Sequence, residues 1–138
     1  MQKGDPALPL PRPPRDCSAL HRKVVTLLRE MYPNFQVQEE ESLKVNVDGR
    51  DTTLFVDIYV KEFHLAIECH GRQHFEFVPH FHHTRDGFAA AVARDGAKAQ
   101  TIQAAGLSYL IVRFDQEKTL TRQKLLRAIT KALKEKKL

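Results

Sequence analysis

Asp57 and Glu68 are the residues whose types and spacing point most directly to chemistry. Asp57 interrupts a β-branched and aromatic run, Leu54-Phe55-Val56-Asp57-Ile58-Tyr59-Val60. A carboxylate in a buried strand is costly unless something compensates it. The next run, His64 to His70, alternates, so Leu65, Ile67 and Cys69 face one way and Ala66, Glu68 and His70 the other. Pairing that sets Asp57 beside Glu68 would build an oxygen-rich pocket suited to a hard cation such as Mg²⁺. Phosphodiester hydrolysis asks for such a set: a nucleophilic water, neutralised charge at the phosphate and a proton for the leaving oxygen. Histidine exchanges a proton near neutral pH. His70 is therefore the expected base, with His74 as its alternative, and Gln73 would position water or phosphate. Arg94 and Lys98, four apart on one helical face, would neutralise phosphate charge, and Asp95 would orient a histidine or arginine.

These residues need a scaffold, and the pattern around them supplies one. Residues 1–15 hold Pro6, Pro9, Pro11, Pro13 and Pro14 with Lys3, Arg12 and Arg15, a basic extended arm. A single domain is expected over 16–138. A helix begins at Asp16 or Ser18 and buries Leu20, Val24, Leu27, Leu28 and Met31 before Pro33 ends it. His21, just off that stripe, reads as half-exposed. Phe35 to Gln38 reads as a short strand, followed by Glu39-Glu40-Glu41, a solvated run within reach of a metal pocket. Leu43, Val45 and Val47 alternate as a strand, and Asp48-Gly49 turns the chain into the Asp57 strand. Gly71 closes this antiparallel meander. His80, His82 and His83 sit in the loop that follows. A long helix from Thr84 or Asp86 to Ala105 turns Phe88, Ala91, Val92, Ala99 and Ile102 inward, with Gly106 after its end. Leu107 to Phe114 is a further strand. A last helix, capped by Thr119 or Thr121, has Leu125, Leu126, Ile129 and Leu133 on one stripe and a basic opposite face. The order α-β-β-β-α-β-α is an α/β fold.

Asp57 followed by Glu68-x-His70 resembles the D…(D/E)-x-K signature of the PD-(D/E)XK nuclease superfamily, with histidine in the lysine position. Phe55-x-Asp57, Ile67-Glu68-x-His70-Gly71-x-Gln73-His74-Phe75, Arg94-Asp95-x-x-Lys98 and Gly106-x-x-Tyr109-Leu110-Ile111-Val112 are similar to the very-short-patch-repair endonucleases and their phage and homing relatives. The resemblance implies a restriction-endonuclease-like αβββαβ core, a mixed central sheet flanked by helices, plus a C-terminal helix. It implies Mg²⁺ or Mn²⁺ on Asp57, Glu68 and the Cys69 backbone carbonyl, and hydrolysis of DNA as a nick or a double-strand cut. Relatives often carry a glutamate in the first helix, and His21 stands at about that position. The structural zinc of the repair enzymes is not expected, because their cysteines are missing.

Composition sets the bounds. The chain has 138 residues, 42% of them apolar, and a net charge of +5. That favours a polyanionic partner, here double-stranded DNA. Arg72, Arg94, Lys98, Arg122 and Lys124 are the candidate phosphate contacts. Nothing approaches a membrane span or a signal peptide core, so a cytoplasmic or nucleoid-associated protein is expected. Cys17 and Cys69 read as reduced thiols. The chain has little room for a separate recognition domain, so a partner or a second copy would supply specificity. Two rival classes remain: a nuclease-like fold that binds nucleic acid without cutting, and a zinc-binding interaction module built on the histidine loop.

Overall fold

The structure, a computed structural model, describes residues 18–135. The Pro-rich arm, Asp16 and Cys17 lie outside the described residues. Helix α1 is Ser18–Met31, and β1 (Val37–Val47) and β2 (Arg50–Val60) form a hairpin through Asp48-Gly49. Strand β3 is Leu65–His70, then come α2 (Pro79–His82), α3 (Arg85–Ala104), β4 (Ser108–Arg113) and α4 (Arg122–Glu135). The sheet order is β1-β2-β3-β4, antiparallel except for the parallel β3–β4 pair, which makes it a mixed sheet flanked by helices. The αβββαβ order with a C-terminal helix is therefore present.

Local signals explain the boundaries. Thr84 caps α3 by accepting a hydrogen bond from the Gly87 N–H at 3.0 Å. Gly106, at φ +81°, supplies the left-handed residue after that helix. Thr121 accepts from the Lys124 N–H at 3.2 Å at the start of α4. Three expectations need correction. The glutamate run is not a break, because Glu39 to Glu41 lie inside one continuous β1. Val92 and Leu126, expected inward, are exposed, and Ala132 is buried on α4 instead. Phe81 and its histidines are partly helical, in α2.

Strand β3 is buried along its whole length, since helices cover both of its faces. On one face Leu65, Ile67 and Cys69 pack with Leu20, Val24, Val25 and Leu28 of α1 and Leu125, Ile129 and Ala132 of α4. On the other, Ala66 packs with Ile102 of α3, Tyr59, Val56 and Leu54. Within β2, Ile58 and Val60 join the first cluster, while Leu54 and Val56, of the same parity, join the second. The hairpin thus changes face between Ile58 and Val56. At that point the β1–β2 ladder keeps its register but skips one pair between Glu39↔Ile58 and Glu41↔Val56, and Glu40 takes a left-handed φ of 48°. A non-glycine residue in that region stores strain that its surroundings must offset. The kink lies opposite Asp57.

Candidate active site

The same kink opens β2 from β3. Their backbone pairing runs Val60↔Leu65, Tyr59↔Ala66, Ile58↔Ile67 and stops. One step further, the side chains take over the ladder. The Asp57 N–H donates to Glu68 Oε2 at 3.0 Å, and the Cys69 N–H donates to Asp57 Oδ2 at 2.8 Å. Each carboxylate is thus held by the other strand's backbone or by its neighbour's amide, which answers the cost of placing it there. The strands part around a cavity of about 360 Å³ lined by Glu40, Phe55, Asp57, Glu68, Gln73 and Lys98, among others.

Helix α3 closes the site from above. Asp95 and Lys98 are three apart and so share a helical face. Lys98 Nζ donates to Glu68 Oε1 at 2.9 Å, and Asp95 Oδ2 accepts from His74 Nδ1 at 2.7 Å. The His70 and His74 rings stack, with centroids 3.8 Å apart and planes 15° apart. His70 Nε2 lies 3.6 Å from Glu68 Oε1, beyond hydrogen-bond length, and is buried without a hydrogen-bond partner among the described residues, as is Gln73 Oε1. Burial pushes the Glu68 carboxyl up, but His70, the Lys98 ammonium and the Asp57 N–H together outweigh it and hold it below the usual carboxylate range. Tyr109 is driven the other way. Burial, joined by the charges of Glu68, Asp95 and Asp57, raises its hydroxyl and keeps it neutral.

The structure brings Asp57, Glu68, Cys69, His70, Gln73, His74 and Lys98 to one cavity. It changes the position of others. Lys98, expected on a phosphate-binding face beside Arg94, reaches into the cavity and bonds Glu68, while Arg94 is exposed outside it. Arg122 pairs with Glu30 at 2.9 Å on the α1 side, and neither it nor Lys124 lines the cavity. Arg72 is exposed with its guanidinium 5.7 Å from the Phe114 ring centroid. His21 is not half-exposed. It is 7% exposed, with Nε2 donating to Glu39 Oε1 at 3.0 Å. Glu40 enters the cavity lining through the kink, a position that strand alternation alone does not reveal.

Among the described residues, two groups of three donors bring their ligand atoms within 4.8 Å of one another: His21-Asp57-Cys69 and His70-His74-Asp95. The histidine loop contributes to neither. His82 Nδ1 instead accepts from the Val78 N–H at 3.0 Å, and its ring packs between Phe77 and Phe88. Also among these residues, no helix is long and apolar enough to cross a membrane. Compared with known proteins, the chain matches no family model, no curated protein and no solved structure.

Proposed function

We propose that this chain is a metal-dependent DNA endonuclease of the PD-(D/E)XK kind, hydrolysing phosphodiester bonds in double-stranded DNA with Mg²⁺ or Mn²⁺. The observation that carries this reading is the pair of carboxylates at the parted strands, each bonded to a backbone N–H across the gap, with a lysine on one of them. The donor set fits a hard cation: two carboxylates lining one polar cavity, each oxygen able to accept more than one partner. Asp57, Glu68 and the Cys69 carbonyl would hold it. Bound there, the ion supplies Lewis acidity to the phosphate and acidifies water.

The chain's own residues divide the remaining work. Asp95 accepts from His74 Nδ1, which fixes the proton on that nitrogen and leaves Nε2 with its lone pair. His74 is therefore the better placed base, and it takes the proton of the attacking water. The new bond joins the water oxygen to phosphorus, the ester P–O bond breaks, and the departing oxygen is protonated from solvent. His70, stacked on His74, holds that ring in place over the cavity. Lys98 supplies positive charge where the E-x-K pattern puts histidine in the chain. Gln73, whose buried oxygen has no partner among the described residues, orients water.

The test is cleavage of supercoiled, linear and mismatched duplexes by the full chain with Mg²⁺, Mn²⁺ or EDTA. Metal-dependent products from any of them support the reading. DNA bound but left intact with every metal would assign the non-cutting class. The histidine-loop zinc module has less to draw on, because His82 is committed to packing and to the Val78 amide.

A further inference from the structure

His21 and His82 are buried histidines that the hydrolytic site does not use, and His82 is engaged with the Val78 N–H while one nitrogen of His21 is not engaged. The His21 side chain is 9% exposed, and its Nδ1 is buried with no hydrogen-bond partner among the described residues. A buried polar atom left without a partner is costly and calls for an explanation. A ring nitrogen of His21, a carboxylate oxygen of Asp57 and the Cys69 sulfur lie within 4.8 Å of one another. Two ligand atoms on one tetrahedral zinc ion, each about 2.0–2.3 Å from it, sit roughly 3.3–3.8 Å apart. Side-chain movements on the order of an ångström close the set.

We propose that His21, Asp57 and Cys69 form a second metal site, a nitrogen–oxygen–sulfur pocket for a borderline-soft divalent cation of the Zn²⁺ class. The donor chemistry separates it from the Asp57–Glu68 pocket. Thiolate and imidazole select zinc-like ions, whereas carboxylates and carbonyls suit Mg²⁺ and Mn²⁺. Supporting groups are already in place. Glu39 accepts from His21 Nε2 at 3.0 Å and so sets the tautomer that leaves a lone pair on Nδ1. Arg29 in turn holds the other oxygen of Glu39 at 3.4 Å. The Cys69 N–H fixes Asp57 Oδ2 beside the sulfur. On binding, the thiol releases its proton to solvent and the sulfur becomes a thiolate ligand. Three protein ligands leave one position of a tetrahedral ion for water or another group. The ion would tie α1 to β2 and β3 at the kink. The site shares Asp57 with the proposed hydrolytic pocket but needs no hydrolysis to be detected.

Co²⁺ titrated into the full chain, stripped of metal and held with a non-thiol reductant, tests this directly. The expected result is a near-ultraviolet thiolate-to-cobalt charge-transfer band that saturates at one Co²⁺ per chain. Zn²⁺ displaces it and excess Mg²⁺ does not. Cys69→Ser removes the band. His21→Gln weakens Co²⁺ binding at least ~tenfold, and Glu39→Gln weakens it about tenfold, the scale of a lost supporting bond. Cys17→Ser and Glu68→Gln keep the band. A wild-type protein with no thiolate band overturns the proposal without need of any substitution. So does a band that survives Cys69→Ser or disappears with Cys17→Ser. Cobalt binding without DNA cleavage would leave this site standing and sink the nuclease reading alone.

Discussion

The two faces of the sheet are built on different terms. Under α1 and α4, β3 meets a continuous apolar cluster that includes Leu20, Val24, Leu28, Ile67, Leu125 and Ile129. Under α3 the cluster is small, and Ile102 is the buried residue of that twenty-residue helix. Helix α3 is rich in alanine, which forms helix readily without an apolar stripe. It is joined to the site by polar links instead, Lys98 to Glu68 and Asp95 to His74. One face holds the fold together, and the other gives up apolar burial to place charged side chains over the parted strands. Real proteins break local folding rules mainly at functional sites and offset the cost elsewhere.

Substitutions on the two faces should therefore separate activity from stability. The largest effect is expected on the α3 face. His74→Ala should lower the cleavage rate by roughly a hundredfold or more, with His70→Ala costing less. A rate profile in which His70→Ala is the worse of the two would return the base to His70. On the opposite face, Ile129→Ala should destabilise by about 2–5 kcal/mol in urea unfolding. Its cleavage rate, measured well below its unfolding midpoint, should match wild type. A selective loss of rate would show that the faces are not independent.

Lys98→Met probes the link between α3 and the site. Glu68 is held below the usual carboxylate range in the folded protein. Its ionisation thus contributes stability that is present above its ordinary value near 4.5 and is lost as pH falls through the folded value. Removing the ammonium takes away both its hydrogen bond to Glu68 and its charge, two of the causes that hold that carboxyl low. The variant should be less stable by about 1–3 kcal/mol at neutral pH. The gap to wild type should shrink as pH drops below that value. A gap that stays constant with pH would mean that Lys98 contributes packing rather than charge. The smallest effect is expected at Arg94, exposed and outside the cavity. Arg94→Ala should reduce the log–log salt slope of DNA binding by about one, read from affinities at several salt concentrations. An unchanged slope removes Arg94 from the phosphate contacts.

Much of this arrangement is legible in the sequence because it rests on short-range rules. Period-two alternation marks Glu68 and His70 on one face of β3. Thr84 and Gly106 bracket α3, and Asp48-Gly49 turns the hairpin. What was not legible depends on contacts between distant segments. Lys98 reaches Glu68 across a separation that no periodicity encodes. His21 is buried because α1 packs with a broad stripe in which Val25 joins Leu20, Val24 and Leu28. Val25, four residues after His21, is the signal that could have shown it. The kink at Glu40 is invisible because β alternation assumes that a strand keeps its faces, and this hairpin exchanges them. Leu126 and Val92 show the converse, apolar residues left exposed among the described residues.

The central claim is that the carboxylates at the strand opening are there for a metal and a phosphate rather than for the fold. Asp57→Asn tests it most directly, assayed in parallel for Mg²⁺-dependent cleavage of supercoiled DNA and for urea unfolding. Asparagine keeps an oxygen for the Cys69 amide, so the structure should hold while cleavage falls below detection and DNA is still bound. Full cleavage by Asp57→Asn, or wild-type cleavage undiminished in EDTA, would contradict the account.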